Sequence, residues 1–179
     1  MSSALIVIDV QNVLFEPEPR PYEADAVIDR INGLIARART AKVPVLFVQH
    51  ESSGTPIEYG SPGWALAAGL DARPDDPVVR KTTPDSFLRT DLAERLAVLG
   101  ATRLVLCGYA TEVCVDTTTR RAAGLGYQLT LAADAHTTHD KTHASAAQIR
   151  THHNATLSAI RSFGVPIQAL PAAEIVFDA

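Results

Sequence analysis

Cysteine is scarce in this sequence, and so are aromatic residues and basic charge. Only two of the 179 residues are cysteine, and aromatic residues make up 6%. Lysine and arginine number 16 against 20 acidic residues, which gives a formal net charge of −4. This balance argues against nucleic-acid binding, which needs clustered basic side chains. The two cysteines are poorly spaced for a disulfide scaffold, so we expect both thiols to be reduced.

Long hydrophobic runs are also missing, so no segment is predicted to span a membrane. The first residues, MSSALIVIDV, carry no cationic region, and Asp9 interrupts their apolar run. This pattern favours a first strand over a signal peptide and predicts a cytoplasmic protein. Hydrophobic residues make up 46% of the chain. That is enough for one core, so we expect a single domain over residues 1–179.

Apolar β-branched runs alternate with segments of helical spacing. Helices are predicted at 24–42, 90–100, 112–127 and 145–164. Strands are predicted at 4–8, 43–49, 77–80, 102–108, 128–134 and 165–170. The alternation predicts a three-layer α/β/α fold with an open, mostly parallel six-stranded sheet. The stretch from about 50 to 80, rich in Gly, Pro and Ser, is predicted to be a long irregular excursion of functional importance.

Three reactive side chains fall at or near the predicted carboxyl ends of strands, where such sheets bind ligands: Asp9, Lys81 and Cys114. A thiol in a first helical turn beside an ammonium is expected to favour its thiolate form. An adjacent carboxylate can move protons for such a nucleophile. Each residue alone has an ordinary alternative: a packing cysteine, a capping aspartate or a solvated lysine. Only their joint placement points to catalysis.

Three motifs resemble those of the isochorismatase-like cysteine hydrolases, a family that includes nicotinamidases and N-carbamoylsarcosine amidase-like enzymes. They are DVQN (9–12), KTTPDSF (81–87) and GYATEVCV (108–115). The similarity extends from the first strand to the last helix. The third motif is the most specific, and all three occur in the family's order.

The resemblance implies a catalytic triad of Asp9, Lys81 and Cys114. It also implies a cis peptide before Ala110, with the backbone N–H groups of Ala110 and Cys114 forming an oxyanion hole. In the implied reaction Cys114 attacks an amide-like carbonyl. Asp9 then protonates the leaving amine and activates water to hydrolyse the thioester. Lys81 keeps the other two groups in their charged forms.

Metal-dependent relatives carry an Asp-x-His pair after the second strand. This sequence reads VQHESSGTP (48–56) there, with His50 as the only histidine before the late cluster. One imidazole falls short of the three protein ligands of a catalytic zinc site. We therefore expect no metal and no cofactor. The late histidines (136, 139, 143, 152 and 153) are interpreted as polar residues around a helix start and on its exposed face.

The substrate is expected to be a small molecule, and a set of aromatic and polar residues is predicted to line its pocket. The set comprises Gln11, Phe15, His50, Trp64, Phe87, Tyr109 and Glu112. Two of these have an open alternative: His50 as an ordinary loop histidine and Trp64 as a residue packed at a subunit boundary. The carboxylate of Glu112 is predicted to face the mouth of the pocket and to disfavour acidic substrates. Relatives commonly form dimers or tetramers, so a homo-oligomer is also expected.

The leading hypothesis is a metal-independent hydrolase that cleaves a C–N bond in a small amide or carbamoyl compound. One alternative is an isochorismatase-type hydrolase that acts on another bond. Such proteins typically lack the nucleophilic cysteine, so Cys114 argues against it. The other alternative is a non-catalytic protein that uses the thiol for binding or redox sensing.

Overall fold

Six parallel strands form the centre of the structure, a computed structural model in which residues 2–177 are described. The strands are β1 (Ser2–Ile8), β2 (Val45–His50), β3 (Val78–Lys81), β4 (Ala101–Tyr109), β5 (Gln128–Thr137) and β6 (Ile167–Leu170). Their order across the sheet is β3-β2-β1-β4-β5-β6. From β1 the chain adds β2 and β3 on one side of the sheet. It then crosses to the other side of β1 and forms β4, β5 and β6. The switch point between β1 and β4 opens a crevice at their carboxyl ends.

Helices cover both faces of the sheet, so the predicted three-layer α/β/α fold is confirmed. They are α1 (Asn12–Phe15), α2 (Ala24–Thr40), α3 (Leu92–Val98), α4 (Asp116–Gly124) and α5 (Ala146–Ala159). A π-helical turn, Thr111–Val115, precedes α4, and a 3-10 turn, Ala172–Glu174, follows β6. None of the described helices is long and apolar enough to cross a membrane.

The continuous apolar run of β1 is explained by its central place in the sheet. Leu5 and Val7 pack into the hydrophobic cluster on one face, while Ile6 and Ile8 pack into the cluster on the other. Alternate side chains of a strand point to opposite faces, so a strand covered on both sides needs apolar residues throughout.

The close pairing of β1 and β4 depends on Gly108, which lies opposite Ile8. Its φ is +119°, and a Cβ added here would collide with the backbone of Ile8. Only glycine accepts both this conformation and this approach. The glycine therefore sits directly beside the switch point.

Several element boundaries differ from the sequence prediction. β5 continues three residues beyond its predicted end, to Thr137. α5 ends at Ala159 because Ile160 turns into extended backbone and packs against the hydrophobic cluster under the sheet. A capping box formed by Ser145 and Gln148 begins this helix. The 112–127 helix is divided, because its first turn is the π-helical turn.

The excursion between β2 and β3 contains no helix and no strand, as predicted. One of its anchors is the carbonyl oxygen of Trp64, which accepts hydrogen bonds from the side-chain amides of Gln11 and Gln49. An isolated β-bridge also joins Gln11 to Leu66. These bonds hold the loop against the carboxyl ends of β1 and β2.

Candidate active site

Three reactive side chains meet at the carboxyl ends of the strands. Asp9 follows β1, Lys81 ends β3, and Cys114 lies in the π-helical turn after β4. The Nζ atom of Lys81 lies 2.7 Å from Oδ2 of Asp9 and 3.2 Å from Sγ of Cys114. Asp9 and Lys81 are 1% exposed and Cys114 is 8% exposed. The structure thus brings together the three residues that the sequence singled out.

The ammonium of Lys81 is held by two further acceptors. It donates to the carbonyl oxygen of Thr83 at 3.1 Å and lies 3.2 Å from Nδ1 of His50. An ammonium has three N–H donors and no acceptor, so Asp9, Cys114, Thr83 and His50 share three protons among them. The cation is therefore fixed at the centre of the site.

The thiol of Cys114 is protonated in the resting protein, against the expectation of a thiolate. Burial and the neighbouring Asp9 carboxylate raise its pKa to about 12, and Lys81 opposes this only in part. Because Lys81 is already paired with Asp9, the sulfur lies beside an ion pair with little net charge. The residue also lies in a π-helical turn, not in the first turn of a regular α-helix.

Asp9 keeps one carboxylate oxygen available for a proton. Its Oδ2 is paired with Lys81, while its Oδ1 is buried and has no hydrogen-bond partner among the described residues. A buried acceptor without a partner is costly in a folded protein. Ligand atoms of Asp9 and Cys114 lie within 4.8 Å of one another, so the carboxylate is placed to accept the proton of Cys114.

A cavity of about 200 Å³ adjoins this cluster and includes both Asp9 and Cys114 in its wall. It is smaller than the ~300–1,000 Å³ typical of pockets for drug-sized ligands. A larger cavity of about 270 Å³ lies at the amino ends of β1, β4 and β5, and its described lining contains no cysteine, histidine or lysine. Of these two cavities, the smaller one is lined by a cysteine together with an aspartate.

Five residues predicted from the sequence line this small cavity: Gln11, His50, Tyr109, Ala110 and Glu112. The peptide bond between Tyr109 and Ala110 is cis, as the resemblance implies. The amide of Gln11 is already occupied, because it donates to two carbonyl oxygens and accepts from the N–H of His50. Gln11 therefore acts on the cavity by holding its wall.

Phe15, Trp64 and Phe87 do not line the cavity, in contrast to the sequence prediction. Phe15 is fully buried and packs edge-on against Tyr109, at 6.0 Å between ring centroids. Successive helical residues point about 100° apart, and it is the preceding residue, Leu14, that reaches the cavity.

The side chains of Trp64 and Phe87 pack against other aromatic rings outside the cavity wall. The Trp64 ring packs edge-on against Tyr59 at 4.9 Å, while its backbone faces the two glutamine amides. Phe87 stacks on Tyr127 at 5.9 Å. Phe87 and Tyr127 lie far apart in the sequence, so no local pattern predicts their contact.

Four cavity residues were missed by sequence reasoning: Leu14, Ile57, Val113 and Lys141. Lys141 pairs with Oε1 of Glu112 at 3.2 Å, and the same oxygen accepts a hydrogen bond from Thr138 at 3.0 Å. The sequence did contain a signal for Lys141. It is a basic residue a few positions beyond β5, and Glu112 is predicted at the mouth of the cavity, so an ion pair between the two could have been predicted. The pair makes the mouth of the cavity nearly neutral.

A buried network supports the turn that carries Cys114. His136 contacts the hydroxyl of Thr111 through Nδ1 and the side chain of Asn154 through Nε2, each at 2.8 Å. Asn154 in turn donates to the carbonyl oxygen of Ala133. Burial lowers the pKa of His136 to about 4, so the ring is neutral. The network ties the π-helical turn to β5 and α5.

Among the described residues, one group has spacing suited to a metal ion: Asp9, His50 and Cys114, with ligand atoms within 4.8 Å of one another. The ammonium of Lys81 lies within 3.2 Å of an atom of each. A fixed cation thus stands among the three groups where a metal would bind. Metal-independent chemistry stays a prediction that this geometry favours.

Comparisons with known proteins agree with the fold. Streptothricin hydrolase of Streptomyces noursei is 40% identical over 138 residues, which cover 76% of this chain and 50% of that protein. The chain thus spans about half the length of this relative. Ureidoacrylate amidohydrolase RutB of Methylobacterium radiotolerans is 31% identical over 153 residues, which cover 65% of this chain and 59% of that protein.

A solved structure of an isochorismatase family protein superimposes with a TM-score of 0.86 at 37% identity, covering 94% of this chain and 97% of that one. The isochorismatase domain matches residues 3–166, a range that contains all three clustered residues. The chain therefore belongs to the isochorismatase-like cysteine hydrolase family.

Proposed function

We propose that this protein is a cysteine hydrolase that cleaves a C–N bond of a small amide or carbamoyl compound without a metal ion. The contact of Lys81 with both Asp9 and Cys114 carries the proposal. A buried acid, a buried base and a thiol in mutual contact are costly to fold and serve proton transfer to and from a nucleophile. The names of the two curated relatives, a hydrolase and an amidohydrolase, support the same class of reaction.

The first half of the reaction transfers the acyl group to sulfur. Oδ1 of Asp9 takes the thiol proton as Sγ of Cys114 attacks the carbonyl carbon. The carbonyl electron pair moves to oxygen, and the N–H groups of Ala110 and Cys114 stabilise the resulting oxyanion. The pair then returns, the C–N bond breaks, and Asp9 gives its proton to the leaving nitrogen. A thioester and a free amine or ammonia result.

The second half releases the acyl group. Water enters where the amine has left, and Asp9 takes one of its protons as the oxygen attacks the thioester carbon. The C–S bond breaks and the sulfur recovers its proton from Asp9. Throughout, Lys81 balances the charge of Asp9 and stabilises the sulfur when it carries negative charge.

The raised pKa of Cys114 argues against the alternative of a redox-sensing protein. Sensor cysteines are accessible and have a lowered pKa, whereas Cys114 is 8% exposed with a pKa raised to about 12. A thiol of this kind becomes nucleophilic only when a substrate and a local base act together. An isochorismatase-type reaction on another bond has no use for the nucleophile.

Ammonia release from a panel of small amides tests the proposal. The wild-type protein is expected to release ammonia from at least one compound, and the Cys114→Ala variant from none. Intact-protein mass spectrometry of acid-quenched wild type is expected to detect the acyl adduct. Hydrolysis that persists in Cys114→Ala would overturn the nucleophile assignment, and hydrolysis abolished by chelators and restored by a divalent metal would overturn the metal-independent mechanism.

A further inference from the structure

The imidazole of His50 is held between Lys81 and the cavity. Its backbone N–H donates to Oε1 of Gln11 at 2.9 Å, and its carbonyl oxygen accepts from Nε2 of Gln11 at 3.0 Å. The residue ends β2 and lines the cavity that contains Cys114. Backbone and ring are therefore positioned together beside the nucleophile.

The contact with Lys81 favours one of the two neutral tautomers of His50. An ammonium can only donate, and Nδ1 of His50 lies 3.2 Å from Nζ, so a ring with an accepting Nδ1 makes this contact favourable. Burial and the charge of Lys81 lower the pKa of His50, which favours the neutral ring. A neutral ring with an unprotonated Nδ1 carries its hydrogen on Nε2.

The Nε2–H of His50 is left open. Among the described residues it forms no hydrogen bond, and it is not one of the buried polar atoms that lack a partner. It lies on the ring edge away from Lys81. This N–H donor has no partner in the protein and lies on the cavity wall beside the nucleophile. It is therefore available to hydrogen-bond a ligand.

We infer that His50 is a specificity residue whose Nε2–H binds a second acceptor on the substrate, an oxygen placed beside the scissile carbonyl. The inference rests on the proposed function and narrows its substrate class. Amides with two neighbouring carbonyl groups, such as biuret, oxamide and malonamide, carry such an oxygen. Propionamide and butyramide are of similar size and lack it. A cavity of about 200 Å³ accommodates compounds of this size.

Nitrogen-15 NMR of the histidine rings tests the tautomer without any turnover. At neutral pH the His50 signals, assigned with His50→Gln, are expected to show a protonated Nε2 and an unprotonated Nδ1. In the Cys114→Ala protein, biuret is expected to shift the Nε2 signal and propionamide is not. A protonated Nδ1, or equal shifts with both compounds, would overturn the inference even if hydrolysis is found.

Steady-state kinetics test the role of His50 by comparing kcat/KM for two substrates. The preference in kcat/KM for biuret over propionamide is expected to fall about tenfold to hundredfold in His50→Phe, with most of the loss in KM. His50→Gln retains a side-chain N–H and is expected to recover part of the preference. His143→Phe changes an exposed histidine outside the cavity and is the matched control. An unchanged ratio in His50→Phe contradicts the inference. If the wild-type protein hydrolyses none of the compounds, the proposed function is contradicted, and the NMR experiment alone then decides whether Nε2 of His50 binds the second acceptor.

Discussion

The ammonium of Lys81 lies 2.7 Å from the carboxylate of Asp9, and the two side chains are 0% and 2% exposed. Neither charge reaches bulk water, so each depends on the other for its stability. Cys114, in contact with this pair, meets a cation and an anion together. Burial and the Asp9 carboxylate together raise the pKa of the thiol, which therefore stays protonated at rest while a base for its proton lies beside it.

Removing the charge of Asp9 is expected to separate thiol reactivity from hydrolysis. In Asp9→Asn the Cys114 thiol loses the carboxylate that raises its pKa and keeps the ammonium that lowers it. Alkylation by iodoacetamide at neutral pH is expected to rise about tenfold or more. Amide hydrolysis is expected to fall about 10²- to 10⁴-fold because the proton carrier is gone. Labelling of Cys114→Ala, which retains the buried Cys107, sets the background; slower labelling of Asp9→Asn would contradict the assigned protonation state.

Breaking the buried ion pair from one side is expected to destabilise the fold. Lys81→Met leaves the carboxylate of Asp9 buried without a counterion, and such losses cost about 3–5 kcal/mol. The double variant Asp9→Asn/Lys81→Met has neither charge and is expected to recover part of that loss. Urea unfolding of the four proteins in the cycle gives the coupling energy. Additive losses would mean that the pair is not coupled in solution.

Alanine substitutions at two glycines with positive φ are expected to distinguish backbone strain from steric collision. Gly100→Ala, at φ +62° with nothing near the added methyl, is expected to lose about 1 kcal/mol. Gly108→Ala, at φ +119°, also forces a methyl into the backbone of Ile8 and is expected to lose at least about 3 kcal/mol. Thermal and urea unfolding measure both. Equal losses would show that β1 and β4 can separate at the switch point without penalty.

The buried ring of His136 is expected to make stability depend on pH. Its pKa is lowered from 6.5 to about 4 in the folded protein, so the unfolded chain binds a proton more readily between these values. The free energy of unfolding therefore falls as pH drops from about 6.5 to 4, by on the order of 3 kcal/mol for this group. His50 titrates in the same direction, so the share of His136 is the slope that His136→Gln loses. An identical slope in the variant would show that His136 is not buried as a neutral ring.

A homo-oligomer remains a proposal, and two exposed apolar side chains offer positions at which to test it. Tyr59 on the irregular excursion is 57% exposed, and Val98 at the end of α3 is 88% exposed. Large contiguous apolar patches mark interaction sites, whereas single exposed residues are common, so these two positions serve as the places to test for a partner. Light scattering is expected to give two or four times the 19.1 kDa of the chain, and Tyr59→Ser/Val98→Ser is expected to lower that mass. A monomer at micromolar concentration would rule the proposal out.

Much of the fold was readable from local pattern, because β1 must be apolar on both faces and α2 on one. Boundaries were less predictable where tertiary contacts intervene. α5 stops at Ala159 because Ile160 is drawn to the core, and the π-helical turn at Thr111–Val115 has no pattern of its own. Local propensity decides less at such places than packing does.

By itself, the sequence determined the order of strands and helices and the identity of Asp9, Lys81 and Cys114 as one group, since each follows or ends a predicted strand and lies in a specific motif. Tertiary structure alone decided the raised pKa of Cys114, the contact of His50 with Lys81 and the choice of Leu14 over Phe15 for the cavity wall. Those properties follow from burial and from charges on distant segments. A pKa depends on what surrounds a group in space, which residue types and their spacing do not contain.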